Sequence, residues 1–148
     1  MCDLLKQFWD WSGITPEEYS TNGFESSKRE SEEEFFLFAD MIAYAKDIIV
    51  ANSLTEVSVL NDLLTIMALD NECESVLDFI KDNSTDEQVG YIVSMGISHP
   101  QPEARWQLAD LIEKRKIPNF LKFLYILAED SNPYVQKRAL NCIENISV

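Results

Sequence analysis

Few residues in this chain have the types and spacing that chemistry requires. The one histidine, His99, precedes Pro100 in a segment that reads as a turn, where a hydrogen bond to nearby backbone accounts for it. Cys2, Cys73 and Cys142 are far apart, with no Cys-x-x-Cys pair and no second histidine to complete a zinc site. They read as free thiols of a reducing compartment, with Cys73 and Cys142 as small core residues in apolar helical patterns. Asp70, Glu72 and Glu74 could in principle act as acid and base or hold Mg²⁺, but they fall where one helix ends and the next begins. Carboxylates are routine at a helix start because they complement its dipole. There is no Gly-rich phosphate loop and no Gly-x-Ser-x-Gly elbow. The chain therefore reads as a non-enzyme without metal or cofactor.

Charge is more informative. The 148 residues carry a net charge of −14. Residues 1–98 hold 20 acidic and 5 basic side chains, a balance of −15, whereas residues 99–148 hold 6 and 7, a balance of +1. Such an acidic stretch repels phosphate backbones and steers a basic partner inward. Lys114, Arg115, Lys116, Lys122, Lys137 and Arg138 cluster in the second part, but the first three suit a helix C-terminus, so no nucleic-acid groove is read there. No apolar run is long enough for a membrane span, and Met1–Lys6 does not resemble a signal peptide. The expectation is a cytoplasmic protein.

The elements that would position a binding surface follow from helix punctuation. Thr15-Pro16-Glu17-Glu18, Ser31-Glu32-Glu33-Glu34, Ser53-Leu54-Thr55-Glu56 and Ser84-Thr85-Asp86-Glu87 all read as helix starts. With the 3.6-residue periodicity they predict a short helix over 2–11, a brief one after Thr15, a polar loop over 20–30 and a long helix over 32–51. Three pairs follow: 54–69 with 72–82, 86–97 with 102–115, and 119–129 with 133–146. Their starts step by about 30 residues, the mark of a repeat. A shift of 31 sets Pro102 on Pro133, Ala104 on Val135, Leu108 on Ala139 and Ile112 on Ile143.

Leu127 to Leu140, with Asp130, Pro133, Val135 and Ala139 in place, resembles a HEAT repeat. Gln136 stands where that family has Arg, while in the upstream copy Pro102, Ala104 and Arg105 match and His99 replaces the turn Asp. The resemblance covers 86–147, fades over 54–82 and does not reach 1–52. It implies an all-α, right-handed αα-solenoid of about three HEAT-like pairs over 53–148. Residues 1–52 would cap it, with Phe8, Trp9, Trp11, Phe35, Phe36 and Phe38 in its core, all within one domain.

The alignment also sets Trp106 opposite Lys137 and Gln107 opposite Arg138. Charged positions in one copy imply solvent exposure in both, so Trp106 reads as an exposed anchor of the kind that dominates interfaces. Packing on the preceding repeat or under the long N-terminal helix is its alternative. In HEAT arrays the second helices line the concave face, which would carry Glu74, Asp78, Trp106, Asp110, Glu113, Asn141 and Glu144 as an acidic strip. The expected function is capture of a basic protein, in the style of an immunity protein that neutralises a nuclease toxin. An adaptor for a basic peptide is the second reading, and a HEAT-like nucleic-acid enzyme the third.

Overall fold

The computed structural model describes residues 1–147, and among the described residues the protein is all-α, with no strand. The helices are α1 (Asp3–Ser12), α2 (Pro16–Asn22), α3 (Phe38–Val50), α4 (Val57–Leu69), α5 (Ser75–Asn83), α6 (Asp86–Gly96), α7 (Pro102–Arg115), α8 (Leu121–Leu127) and α9 (Pro133–Ser147). Short 3₁₀ turns cover Gly23–Ser26, Glu32–Glu34 and Pro118–Phe120.

Polar caps open several of these helices. The Thr15 hydroxyl accepts from the Glu18 amide at 3.1 Å while the Glu18 carboxylate accepts from the Thr15 amide, a capping box with Pro16 in the first turn. Thr85 and Gln88 form another, one residue later than the Ser84–Glu87 pair read from sequence. The Ser53 start moves too: α4 opens at Val57 behind Glu56, without a side-chain cap.

The long helix expected over 32–51 is interrupted. The Ser31–Glu34 capping box forms, but it opens only the 3₁₀ turn, and Phe35 then takes an extended ψ of 123° before α3 begins at Phe38. Tertiary packing explains the break. The bend drives Phe35 edge-on against Phe8, ring centres 5.4 Å apart, in a core shared with Trp9 and Tyr19. Such aromatic pairs add about 0.5–1.5 kcal/mol beyond area burial, enough to outweigh one turn of helix propensity.

In one succession, α3 packs on α5, α5 on α7, and α7 most extensively on α9. Behind it, α4 lies on α3, α6 and α7, and α8 rests on α7 and α9. Helix α4 is buried continuously from Asp62 to Leu69, as expected of a helix covered on all sides. At Gly96 any Cβ would collide with Leu108 and come within 3.0 Å of Leu64, so glycine sets how closely α6 approaches α7 and α4. Gly90 is tight against Phe120, 3.3 Å from where a Cβ would lie.

The 31-residue correspondence is visible in atomic contacts. Asp130 Oδ1 accepts from the Asn132 amide at 2.9 Å, and His99 Nδ1 accepts from the Gln101 amide at 3.2 Å. Arg105 donates to the His99 carbonyl at 2.7 Å, and Gln136 donates to the Asp130 carbonyl. Ala104 and Val135 are fully buried, as are Leu108 and Ala139. His99 thus takes the place of an aspartate at a turn, as its position suggested. The ring proton then sits on Nε2, 3.4 Å from the Thr65 hydroxyl.

Candidate partner-binding surface

The seven residues read as one acidic strip divide into three groups. Trp106, Asp110 and Glu113 lie on one stripe of α7, spaced by four and three residues, and that stripe faces α9. The Arg138 guanidinium sits 4.6 Å from the Trp106 ring centre and pairs with Asp110. Tyr134 meets Trp106 edge-on at 5.5 Å and accepts from Arg138 at 3.0 Å. Asn145 donates to Glu113 at 2.7 Å, and the Cys142 thiol lies between, 3.8 Å from Asp110 and 3.6 Å from Glu113. Burial pushes Asp110 above the usual carboxylate range, with Arg138 opposing the shift. Burial and the two carboxylates push the Cys142 thiol up to about 12.

Trp106 is accordingly 9% exposed, not the open anchor expected from its alignment with Lys137, and Gln107 is fully buried, donating to the Met67 carbonyl at 2.8 Å. Arg138 and Tyr134, both on α9, lie against the Trp106 ring. Its counterparts on α9 show the difference: Lys137, Leu140, Asn141 and Glu144 are exposed, Leu140 at 55%. Asn141 and Glu144 therefore occupy a different face from Asp110 and Glu113.

Glu74 and Asp78 belong to the start of α5. Glu74 takes a left-handed conformation (φ 56°) at the N-cap, and burial followed by the charge of Asp110 raises its carboxyl. Asp78 is exposed and pairs with Lys81 at 2.9 Å. Asp70 caps this helix, accepting from the Val76 amide at 2.8 Å; burial lifts its carboxyl to about 6. The three ligand atoms of Asp110, Glu113 and Cys142 lie within 4.8 Å of one another, but Arg138 and Asn145 already hold the two carboxylates.

A second surface was not expected from sequence. Phe36, read as core, is 75% exposed and opens a cleft of about 640 Å³ along α3, lined by Phe38, Ala39, Ile42 and Ala43 with Cys73 and Asp70 across from them. Cys73 is likewise exposed rather than core, its thiol donating to Glu33 at 3.1 Å, which raises its pKa. The available signal was the adjacency of Phe35 and Phe36: side chains about 100° apart on a helix do not share one narrow face.

Comparison with known proteins finds no matching family model, no matching curated protein and no matching solved structure. Among the described residues, no helix is long and apolar enough to cross a membrane.

Proposed function

We propose that this chain is a non-catalytic binding module, a right-handed stack of HEAT-like helix pairs whose acidic surface receives a basic partner protein. The matched turns at His99 and Asp130, and the succession of α3, α5, α7 and α9, support the repeat reading. The observation that carries the function is the unneutralised charge of the first two-thirds. Of its 20 acidic side chains, ion pairs among the described residues engage Asp3, Asp78 and Asp86. The surplus lies along Asp10 to Asp47 and at Glu56, Glu72, Asp82 and Glu87, more than on the α7 strip, whose Asp110 and Glu113 side chains α9 already holds. Complementary charge gives fast, salt-sensitive association. A basic nuclease-type toxin, neutralised as an immunity protein would neutralise it, fits this chemistry.

The test is a binding titration against the basic product of a neighbouring reading frame, repeated from about 0.1 to about 1 M salt, which shortens the screening length from roughly 10 to roughly 3 Å. The association rate is expected to drop by about tenfold or more, and co-expression is expected to relieve the partner's toxicity. Absence of a complex, or an association rate indifferent to salt, overturns the reading.

A further inference from the structure

Phe36 is 75% exposed to water and meets the Phe35 ring edge-on at 5.2 Å. The extended turn at Phe35 sends that ring inward and its neighbour outward, so Phe36 stands at the head of α3. Behind it Ala39 and Ala43, four residues apart on one helical face, are exposed along the cleft. Phe38 and Ile42, half-buried, line the cleft with them, and Cys73 and Ser75 line it from the turn into α5. Small exposed side chains beside aromatic and aliphatic ones admit the ridge of another helix.

The rim supplies the sign of the partner. Glu33 lines the cleft beside the buried Asp70, and exposed Glu34, Asp40 and Glu72 adjoin the lining residues in the chain. The one lysine of the lining, Lys46, sits 5.7 Å from the Phe79 ring centre. None of Glu33, Glu34, Asp40 and Glu72 joins an ion pair among the described residues.

We propose that this cleft takes an amphipathic helix of the partner protein, apolar where it meets Phe36, Phe38 and Ile42 and bearing lysine or arginine along its flanks. It rests on the basic-partner reading above and places the contact on α3 rather than on the α7 strip. Phe36 acts as the anchor, and the carboxylates select against acidic or neutral helices.

The experiment uses the full chain and two labelled peptides of roughly 18 residues, about five helical turns. One alternates leucine and lysine at helical spacing; the other replaces every leucine with serine at the same charge. Fluorescence anisotropy reads binding to the parent chain, to Phe36→Ser and to Ala43→Gln, both exposed positions, with circular dichroism confirming that each variant keeps its helices. The leucine–lysine peptide is expected to bind more tightly than the serine–lysine one, and each variant is expected to weaken it by roughly tenfold, as for loss of an interface anchor. Equal, salt-sensitive binding of both peptides, unchanged in the variants, overturns the cleft while leaving charge-driven capture standing. No binding of either at low salt overturns both readings. Sedimentation provides the last arm: a parent dimer that Phe36→Ser converts to monomer would assign the cleft to a second copy of this chain and overturn the proposal.

Discussion

The α7–α9 seam and the α3 cleft are made of the same residue types and end in opposite states. Each has a large aromatic, Trp106 or Phe36, beside two or more carboxylates. At the seam Arg138 covers the Trp106 ring and pairs with Asp110, while Asn145 holds Glu113. At the cleft Phe36 is open and Glu33 accepts from the Cys73 thiol, joining no ion pair among the described residues. The difference lies in what the chain places opposite. Helix α9 brings a guanidinium and an amide onto α7; the turn into α5 brings a thiol and further carboxylates toward α3. The seam's charges are engaged within the fold, whereas Glu33, Glu34, Asp40 and Glu72 around the cleft join no ion pair among the described residues.

The largest expected effect breaks the seam where its turn is anchored. Arg105 grips Asp130 through two hydrogen bonds, 2.8 and 3.0 Å, with both side chains about nine-tenths buried, and also donates to the His99 carbonyl. Arg105→Ala leaves a buried carboxylate uncompensated, and unfolding in urea should show a loss of about 3 kcal/mol. Peptide binding at the cleft should persist wherever the variant is folded. A loss below about 1 kcal/mol would mean that the pair does not bind the two turns together.

The two regions should also respond to pH with opposite sign. Asp70, bordering the cleft, holds its proton in the fold up to about 6 although its ordinary value is 3.8. Its contribution to stability is complete at low pH and is lost as pH rises to about 6. His99, at the turn before α7, is neutral in the fold down to about 4 because burial and then the charge of Arg105 oppose its protonation. The unfolded chain protonates it near 6.5, so its contribution is present above that value and is lost as pH falls to about 4. Between pH 4 and 6 the slopes oppose each other, each near 1.4 kcal/mol per pH unit. Thermal melts across that window should show Asp70→Asn losing stability toward acid relative to the parent, and His99→Asn gaining it. Parallel profiles for all three proteins would sink this account.

What could be read beforehand follows the same division. Pro102 and Pro133 marked the starts of α7 and α9 correctly because proline acts locally, and the 31-residue shift found the paired turns because backbone hydrogen bonds repeat with it. Exposure did not transfer with the shift. Trp106 and Lys137 are equivalent in sequence, yet α7 has another helix on that face and α9 has none among the described residues. The cleft was hidden for a different reason. The capping box at Ser31 and the apolar run from Phe35 to Val50 obey every local rule for one helix, and only the fit of Phe35 against Phe8 interrupts it.

A smaller effect should come from Arg138→Ala. It removes the cation from the Trp106 face and the partner from Asp110, whose carboxyl burial already raises. A loss of about 1–2 kcal/mol is expected in urea, with Trp106 fluorescence shifting toward that of a wetter ring. If the loss also weakens the leucine–lysine peptide, the seam and the cleft are coupled and the division drawn between them fails.

The smallest effect on stability belongs to the residue expected to matter most for binding. Phe36→Ser removes a ring that is three-quarters in water and has one aromatic neighbour, Phe35, at 5.2 Å. Surface substitutions of this kind stay within about 0.5 kcal/mol. A core aromatic, by contrast, costs about 3–5 kcal/mol when truncated. The melting curve therefore separates the two roles that an aromatic can have in this fold. An unchanged melt with weakened peptide binding places Phe36 at an interface. A melt lowered as far as core truncation would lower it means that Phe36 supports the bend at Phe35, and the open cleft is then a by-product of packing rather than a surface kept for a partner.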